Sequence, residues 1–197
     1  MPRQILLATA NPGKLKELQR ILNSTEVSLT SIDQVSATAG MNVPETGVTF
    51  AENAQIKAKA YGNAAGMCAI ADDSGLEVKA LNSAPGILSA RYAPGNDNDR
   101  CQALLMALKD ITDRTARFVA VICYYDPKSG QTEFFTGTCS GTIAQQAQGS
   151  GGFGYDPIFV PDGYTQTMSE LGPSIKDTIS HRAQALRQLA KFLPSTY

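Results

Sequence analysis

Residues 117–125 read RFVAVICYY, an apolar run rich in β-branched and aromatic side chains with almost no polar alternation. A run of this length and make-up suits a strand covered on both faces, which places a sheet inside the molecule with layers on either side. A second run over 132–143 follows Asp126, Pro127, Lys128, Ser129 and Gly130, a turn composition, so the two read as paired strands. Further strands are expected over residues 4–9, 68–71, 76–81 and 157–160, with Asp72, Asp73, Ser74 and Gly75 as a turn between the middle pair. Leu15, Leu18, Ile21 and Leu22 recur at helical spacing behind Asn11, Pro12 and Gly13, which supply an N-cap and a first helical proline. Thr49 and Glu52 have the spacing of a capping box ahead of Ala54, Ala58, Tyr61 and Ala65. Residues 100–108 read as helix, and Ile179, Ala183, Leu186, Ala190 and Leu193 mark the core face of a single C-terminal helix. The class is α/β or α+β around a mixed sheet, as one domain over residues 1–197 with two lobes.

The 197 residues are enough to bury a core without disulfide or metal staples. Lys and Arg total 17 against 18 Asp and Glu, a net charge of −1 that excludes the broad basic face of a nucleic-acid binder. No stretch approaches the ~20 apolar residues of a membrane span. The opening MPRQILLATANPGK has no signal-peptide core or cleavage site. A cytoplasmic protein with neither nucleic-acid nor membrane partners is expected. The 4 cysteines, Cys68, Cys101, Cys123 and Cys139, form no close pair and read as structural thiols. With 1 histidine and no tryptophan, a multi-histidine metal centre is excluded, and chemistry falls to carboxylates, lysines and at most one imidazole.

Thr9, Ala10, Asn11, Pro12, Gly13 and Lys14 lie where a strand hands over to a helix N-terminus, where backbone N–H groups and the helix dipole favour an anion. The segment lacks the upstream glycine and the following hydroxyl of a P-loop, and an ordinary capped helix with a surface lysine explains it equally well. Asn53 and Lys57 are i, i+4 neighbours that either present an amide and an ammonium to phosphate oxygens or line a solvated face. Asp72 and Asp73 are adjacent, so in extended backbone they point to opposite faces and one of them faces a given site. Their oxygens suit Mg²⁺ and proton transfer from water, with an Asx-turn as the plain alternative. Phe153 sits in the glycine-rich GSGGFGY loop ahead of Asp156 and Pro157, an aromatic able to stack on a base. Lys176, Ser180, His181 and Arg182 fall near the start of the last helix, with His181 and Arg182 off its core face.

The blocks TANPGK, ETGVTFAENAQIKA, ADDSGLEV, APGILSARY, GGFGYDPIF and KDTISHR occur in that order from Thr9 to Arg182. Together they resemble the inosine triphosphate pyrophosphatase family, the house-cleaning dITP/XTP pyrophosphatases. The resemblance implies an α/β fold with a long central mixed β-sheet, flanking helices and two lobes around a nucleotide cleft, assembled as a homodimer. It implies Mg²⁺-assisted hydrolysis of ITP, dITP, XTP or dXTP to the monophosphate and pyrophosphate, which keeps these purines out of DNA and RNA. Carried over by position, Thr9, Ala10, Asn11, Pro12, Gly13 and Lys14 would bind the triphosphate, and Asn53 and Lys57 would line its channel. Glu45, Asp72 and Asp73 would hold the metal, with Asp73 the catalytic proton acceptor and Ser74 on the substrate. Phe153, Gly154, Tyr155 and Asp156 match the base loop, and Lys176, His181 and Arg182 the remaining nucleotide contacts. Donors on His181 and Arg182 would meet a 6-oxo oxygen and be left unpaired by adenine, a mismatch that can discriminate by ~10⁴. Asn82 and Ser83 depart from the glycine common ahead of Ala84, Pro85 and Gly86 in the family. Glu170, Leu171, Gly172, Pro173 and Ser174 replace a more charged stretch.

Overall fold

In the computed structural model, residues 4–22 and 27–193 are described, and residues 1–3 of the opening segment lie outside them. The elements run β1 (Gln4–Leu7), α1 (Pro12–Leu22), β2 (Ser28–Ser31), α2 (Phe50–Ala65), β3 (Ala69–Val78), α3 (Asp97–Ala107), β4 (Thr115–Tyr125), β5 (Thr132–Ile143), β6 (Phe159–Pro161), α4 (Met168–Ile179) and α5 (His181–Phe192). The strands form a 6-stranded sheet in the order β2-β1-β3-β4-β5-β6. β1 pairs parallel with β2 and β3, whereas β5 pairs antiparallel with β6, so the sheet is mixed and the class is α/β. Among the described residues no helix is long and apolar enough to cross a membrane.

The chain divides into two compact units, and the divisions fall inside β3, β4 and β5 and after the first residue of α5. The first unit comprises Met1–Asp73, Ala120–Thr136 and Arg182–Tyr197. Its strands split their side chains by the two-residue period of extended backbone. Ile5, Leu7, Cys68, Ile70, Ile122 and Tyr124 pack with Leu18 and Leu22 of α1 and with Ala185, Leu186 and Leu189 of α5. The alternate positions Leu6, Ala8, Ala69, Ala71, Cys123 and Tyr125 pack with Ala54, Ala58 and Tyr61 of α2. Both faces are therefore covered there, as the RFVAVICYY run requires. The second unit comprises Ser74–Val119 and Gly137–His181 and has one core, in which Leu76 and Val78 of β3 and Phe118 of β4 meet Cys101 and Leu104 of α3. The four cysteines are buried and form no disulfide, two in each unit.

Several elements differ from the sequence reading. Asp72, Asp73, Ser74 and Gly75 are not a turn: β3 runs unbroken from Ala69 to Val78. Turn-forming composition is overruled because the Asp72 carboxylate finds cationic partners within the fold, so extended backbone leaves no buried charge unpaired. The capping box before α2 is half formed, since Thr49 accepts the Glu52 N–H at 3.1 Å but Glu52 accepts from Val48 rather than Thr49. The last strand is shifted to Phe159–Pro161, behind a short 3-10 turn over Asp156–Ile158. The expected C-terminal helix is two helices: Ser180 is extended at φ −65° and ψ 155°, and α5 starts afresh at His181. Ile179 accordingly packs in the core of the second unit and Leu186 in a core of the first. That break also reverses the expectation for His181 and Arg182, which are 4% and 1% exposed. Asn82 and Ser83 both have positive φ, 51° and 67°, the left-handed conformation that suits glycine.

Candidate active site

The first unit gathers an interlocked set of charges. β1 delivers the chain to Asn11, whose Oδ1 accepts the backbone N–H groups of Gly13 at 2.9 Å and Lys14 at 3.1 Å. Thr9 Oγ1 in turn accepts the Asn11 N–H at 3.2 Å. The N-terminal N–H groups expected to be open to an anion are thus held by the cap, and Ala10 and Pro12 are exposed beside it. From the first turn of α1, Lys14 Nζ reaches Asp72 Oδ2 at 2.8 Å. Burial lowers the Lys14 pKa, with Asp72 opposing. Asp72 also accepts from Nε and Nη2 of Arg182, both at 3.2 Å, and Arg182 pairs through Nη1 with Glu17 of α1. Burial alone would raise the Asp72 carboxyl, but Arg182 and Lys14 hold it far below the usual carboxylate range.

Asp73 has different partners, as alternation along β3 requires. Lys57 of α2 lies 3.5 Å from Asp73 Oδ1, donates to the Asp72 carbonyl at 2.8 Å, and pairs with Glu45. One turn earlier, Asn53 Oδ1 accepts the Gly47 N–H at 2.8 Å, and a Cβ on Gly47 would stand 2.6 Å from Glu52 Cβ, so the Glu45 segment closes tightly on α2. Burial raises the Asp73 pKa against the pull of Lys57 and Lys14, with Glu45 adding to the rise. Among the described residues, Asp73 Oδ2 and Asn53 Nδ2 are buried with no hydrogen-bond partner.

No group of three or more His, Cys, Asp or Glu side chains forms a metal cage among the described residues. Mg²⁺ commonly leans on one or two carboxylates and takes its other ligands from phosphate and water, and Glu45 and Asp73 are the two carboxylates brought to Lys57. The unpartnered Asp73 Oδ2 is the oxygen that such an ion would satisfy.

The second unit carries the rest of the expected residues. Ser74 continues β3, half-buried. The loop at 149–155 is held through both backbone and side chain: Asp156 Oδ2 accepts the Phe153 N–H at 2.9 Å, and the Tyr155 hydroxyl donates to the Ser89 carbonyl at 2.9 Å. A Cβ on Gly152 (φ +75°) would fall 2.1 Å from Asp156 Oδ2, so the carboxylate fits only against a glycine. Lys176 of α4 pairs with Asp156 and places Nζ 4.4 Å from the centroid of the half-buried Phe153 ring. His181 stacks flat on Phe118, with centroids 4.7 Å apart and an interplanar angle of 9°.

The residues expected from sequence therefore fall into two sets. Thr9, Ala10, Asn11, Pro12, Gly13, Lys14, Glu45, Asn53, Lys57, Asp72, Asp73 and Arg182 belong to the first unit, and Ser74, Phe153, Gly154, Tyr155, Asp156, Lys176 and His181 to the second. Sequence reasoning missed Glu17, Ser89 and Asp97. Glu17, three residues after Lys14 on α1, is 4% exposed, and its position between Leu15 and Leu18 carried a signal of burial that a charged residue masks.

Comparison with known proteins agrees with the resemblance drawn from the blocks. The Ham1 family model matches residues 5–192. A protein of Oceanobacillus iheyensis named dITP/XTP pyrophosphatase is 42% identical over 195 residues, 97% of this chain and 98% of the relative. A solved HAM1 protein from Coxiella burnetii superimposes with a TM-score of 0.89 at 41% identity, covering 98% of this chain and 99% of that one. The Staphylococcus aureus Ham1 structure gives 0.88 at 41% identity, over 99% and 100%.

Proposed function

The chain belongs to the Ham1 family, and on that premise we propose that it hydrolyses ITP, dITP, XTP and dXTP to the monophosphate and pyrophosphate, keeping non-standard purines out of DNA and RNA. The observation that carries the chemistry is Asp73: a buried carboxylate beside Lys57, with its pKa raised and one oxygen without a partner. Asp73 is the carboxylate that takes the proton as water attacks and the bond between the α- and β-phosphates breaks, releasing pyrophosphate. Glu45 and Asp73, with Asp72 beside them, would hold Mg²⁺, which when bound would polarise the phosphoryl group and neutralise its charge. Lys14 and Lys57 neutralise the triphosphate, with Thr9, Ala10, Asn11, Pro12 and Gly13 around it and Asn53 on the channel wall. For a phosphate to use the Gly13 and Lys14 N–H groups, the Asn11 side chain must yield them.

Ser74 contacts substrate, and Phe153, Gly154, Tyr155 and Asp156 hold the base. Lys176 and His181 complete the base-side contacts, with His181 donating to the 6-oxo oxygen. Arg182 donates to Glu17 and Asp72, and its first part is to keep Asp72 ionised; a donation to the base requires one of those bonds to open. The protein works in the cytoplasm as a homodimer. The test is pyrophosphate release with Mg²⁺ from ITP, dITP, XTP, GTP, ATP and a set of pyrimidine triphosphates. Turnover of ITP, dITP and XTP at ~10²-fold or more above ATP is expected, since adenine leaves buried donors unpaired. Tight binding without turnover would make the protein a nucleotide sensor, and a preference for pyrimidines would place it among other pyrophosphatases.

A further inference from the structure

Gly154 is held from both sides by one helix. Asp97 Oδ2 of α3 accepts the Gly154 N–H at 2.6 Å, and Cys101, one turn later on the same face, donates its thiol to the Gly154 carbonyl at 3.4 Å. The second oxygen of Asp97 pairs with Arg100, whose Nη1 donates to the Gly95 carbonyl at 3.0 Å. The start of α3 is itself fixed, because Asn96 Oδ1 accepts the Asn98 N–H at 2.8 Å while Asp99 returns a bond to the Asn96 N–H at 2.8 Å. The residue held in this way has a positive φ of 63° and lies between Phe153 and Tyr155. Asp156 fixes the Phe153 N–H and Ser89 fixes the Tyr155 hydroxyl. Asp97 therefore supplies a further anchor of the loop, beside Ser169, whose hydroxyl donates to the Gly151 carbonyl at 2.7 Å, and it lies outside every sequence block described above.

We propose that Asp97 is a positioning residue that, with Cys101, sets where the Phe153 ring stands and through it which nucleobase is accepted. This rests on the loop being the base site proposed above. Fixing the ring through its neighbour's peptide affects base binding and leaves the phosphate chemistry to other residues, so the effect belongs in KM and in selectivity. In Asp97→Ala, KM for ITP is expected to rise about tenfold, the size of one lost charge-assisted bond, with kcat changed by less than about threefold. The preference for ITP over GTP is expected to shrink. Asp97→Asn keeps an oxygen that can accept the Gly154 N–H and is expected to recover most of the loss. Equal KM losses in the two variants, or a KM in Asp97→Ala within about twofold of the parent, would overturn the proposal.

An optical readout needs no turnover. The chain has no tryptophan, so Phe153→Trp introduces a single indole into the loop. On that background, without nucleotide, Asp97→Ala is expected to red-shift its emission and lower its anisotropy, and Asp97→Asn is not. An unchanged signal in Asp97→Ala overturns the proposal whether or not ITP is hydrolysed. Absence of ITP turnover in the parent counts against the proposed function and leaves the optical test intact.

Discussion

In the first unit most of the proposed catalytic groups stand on regular elements and hold one another by charge: Lys14 on α1, Lys57 on α2, Asp72 and Asp73 on β3 and Arg182 on α5, with Glu45 tied to Lys57 from outside any helix or strand. In the second, the proposed base site is a loop held residue by residue, through the Phe153 and Gly154 N–H groups and the Tyr155 hydroxyl. The contrast follows from what each has to do. Charge pairs in a dry interior demand fixed distances, which helices and strands provide, whereas a base face needs a shaped surface, which a loop can offer once its backbone is anchored. If the two halves are separable in this way, substitutions in the first alter turnover or stability for every substrate alike, and substitutions in the second alter which substrate is preferred.

The strongest test is Asp73→Asn, expected to lower kcat about 10³-fold for ITP and XTP equally, within the range of a lost general base. Unequal losses would break the separation. The same variant has a stability signature. Burial raises the Asp73 pKa, so the folded protein loses stability as pH climbs past the unfolded carboxyl value of about 4. Calorimetry without Mg²⁺ is therefore expected to give Asp73→Asn a higher thermal midpoint than the parent near pH 8, with the gap closing in acid.

Arg182→Met would strip Asp72 and Glu17 of their buried partner, at a cost of about 3–5 kcal/mol and roughly 10 °C in Tm at neutral pH. Asp72 is depressed by Arg182 and Lys14, against burial, so its stabilising contribution is present above the unfolded carboxyl pKa and lost as pH falls through the folded one. The difference in Tm between parent and variant should narrow below about pH 4, and a gap that stays constant with pH would show that packing rather than charge holds this half together.

Tyr155→Phe is a smaller change on the other side. Losing the bond to the Ser89 carbonyl is expected to cost about 1 kcal/mol of stability in chemical denaturation and to alter the ITP-to-GTP ratio with little effect on kcat. Smallest is Ser83→Gly, expected to stabilise by about 0.5–1 kcal/mol because glycine takes the positive φ without steric penalty. Its kinetics should match the parent; a shift in selectivity would extend the recognition half as far as that turn.

Much of this was legible in the sequence where local pattern and tertiary setting agree. The alternate residues of 5–8, 68–71 and 122–125 divide between two cores, as a doubly covered strand demands. Asn11 caps α1, and the ordered blocks identified the family. What was misread depended on distant partners. The Asp-Asp-Ser-Gly segment has a turn's composition, and the ion pairs that admit it to a strand come from residues far away in the chain. His181 and Arg182 looked peripheral because helical phase was counted through Ser180, where the helix breaks. Glu17 and Asp97 matter through long-range bonds, to Arg182 and to Gly154, which leave no periodicity to detect.

The buried cysteines have a consequence for how the protein opens. Burial pushes the Cys123 thiol up to about 12 and those of Cys101 and Cys139 up to about 11. At pH 8 a thiol near 11 is about one-thousandth thiolate, so alkylation in the folded state is slow even before access is considered. With Cys68 and Cys123 in one unit and Cys101 and Cys139 in the other, the order in which they acquire an alkylating label under mild denaturant is a clock with two hands. Simultaneous labelling means that the molecule unfolds as a single event; staggered labelling names the half that loosens first.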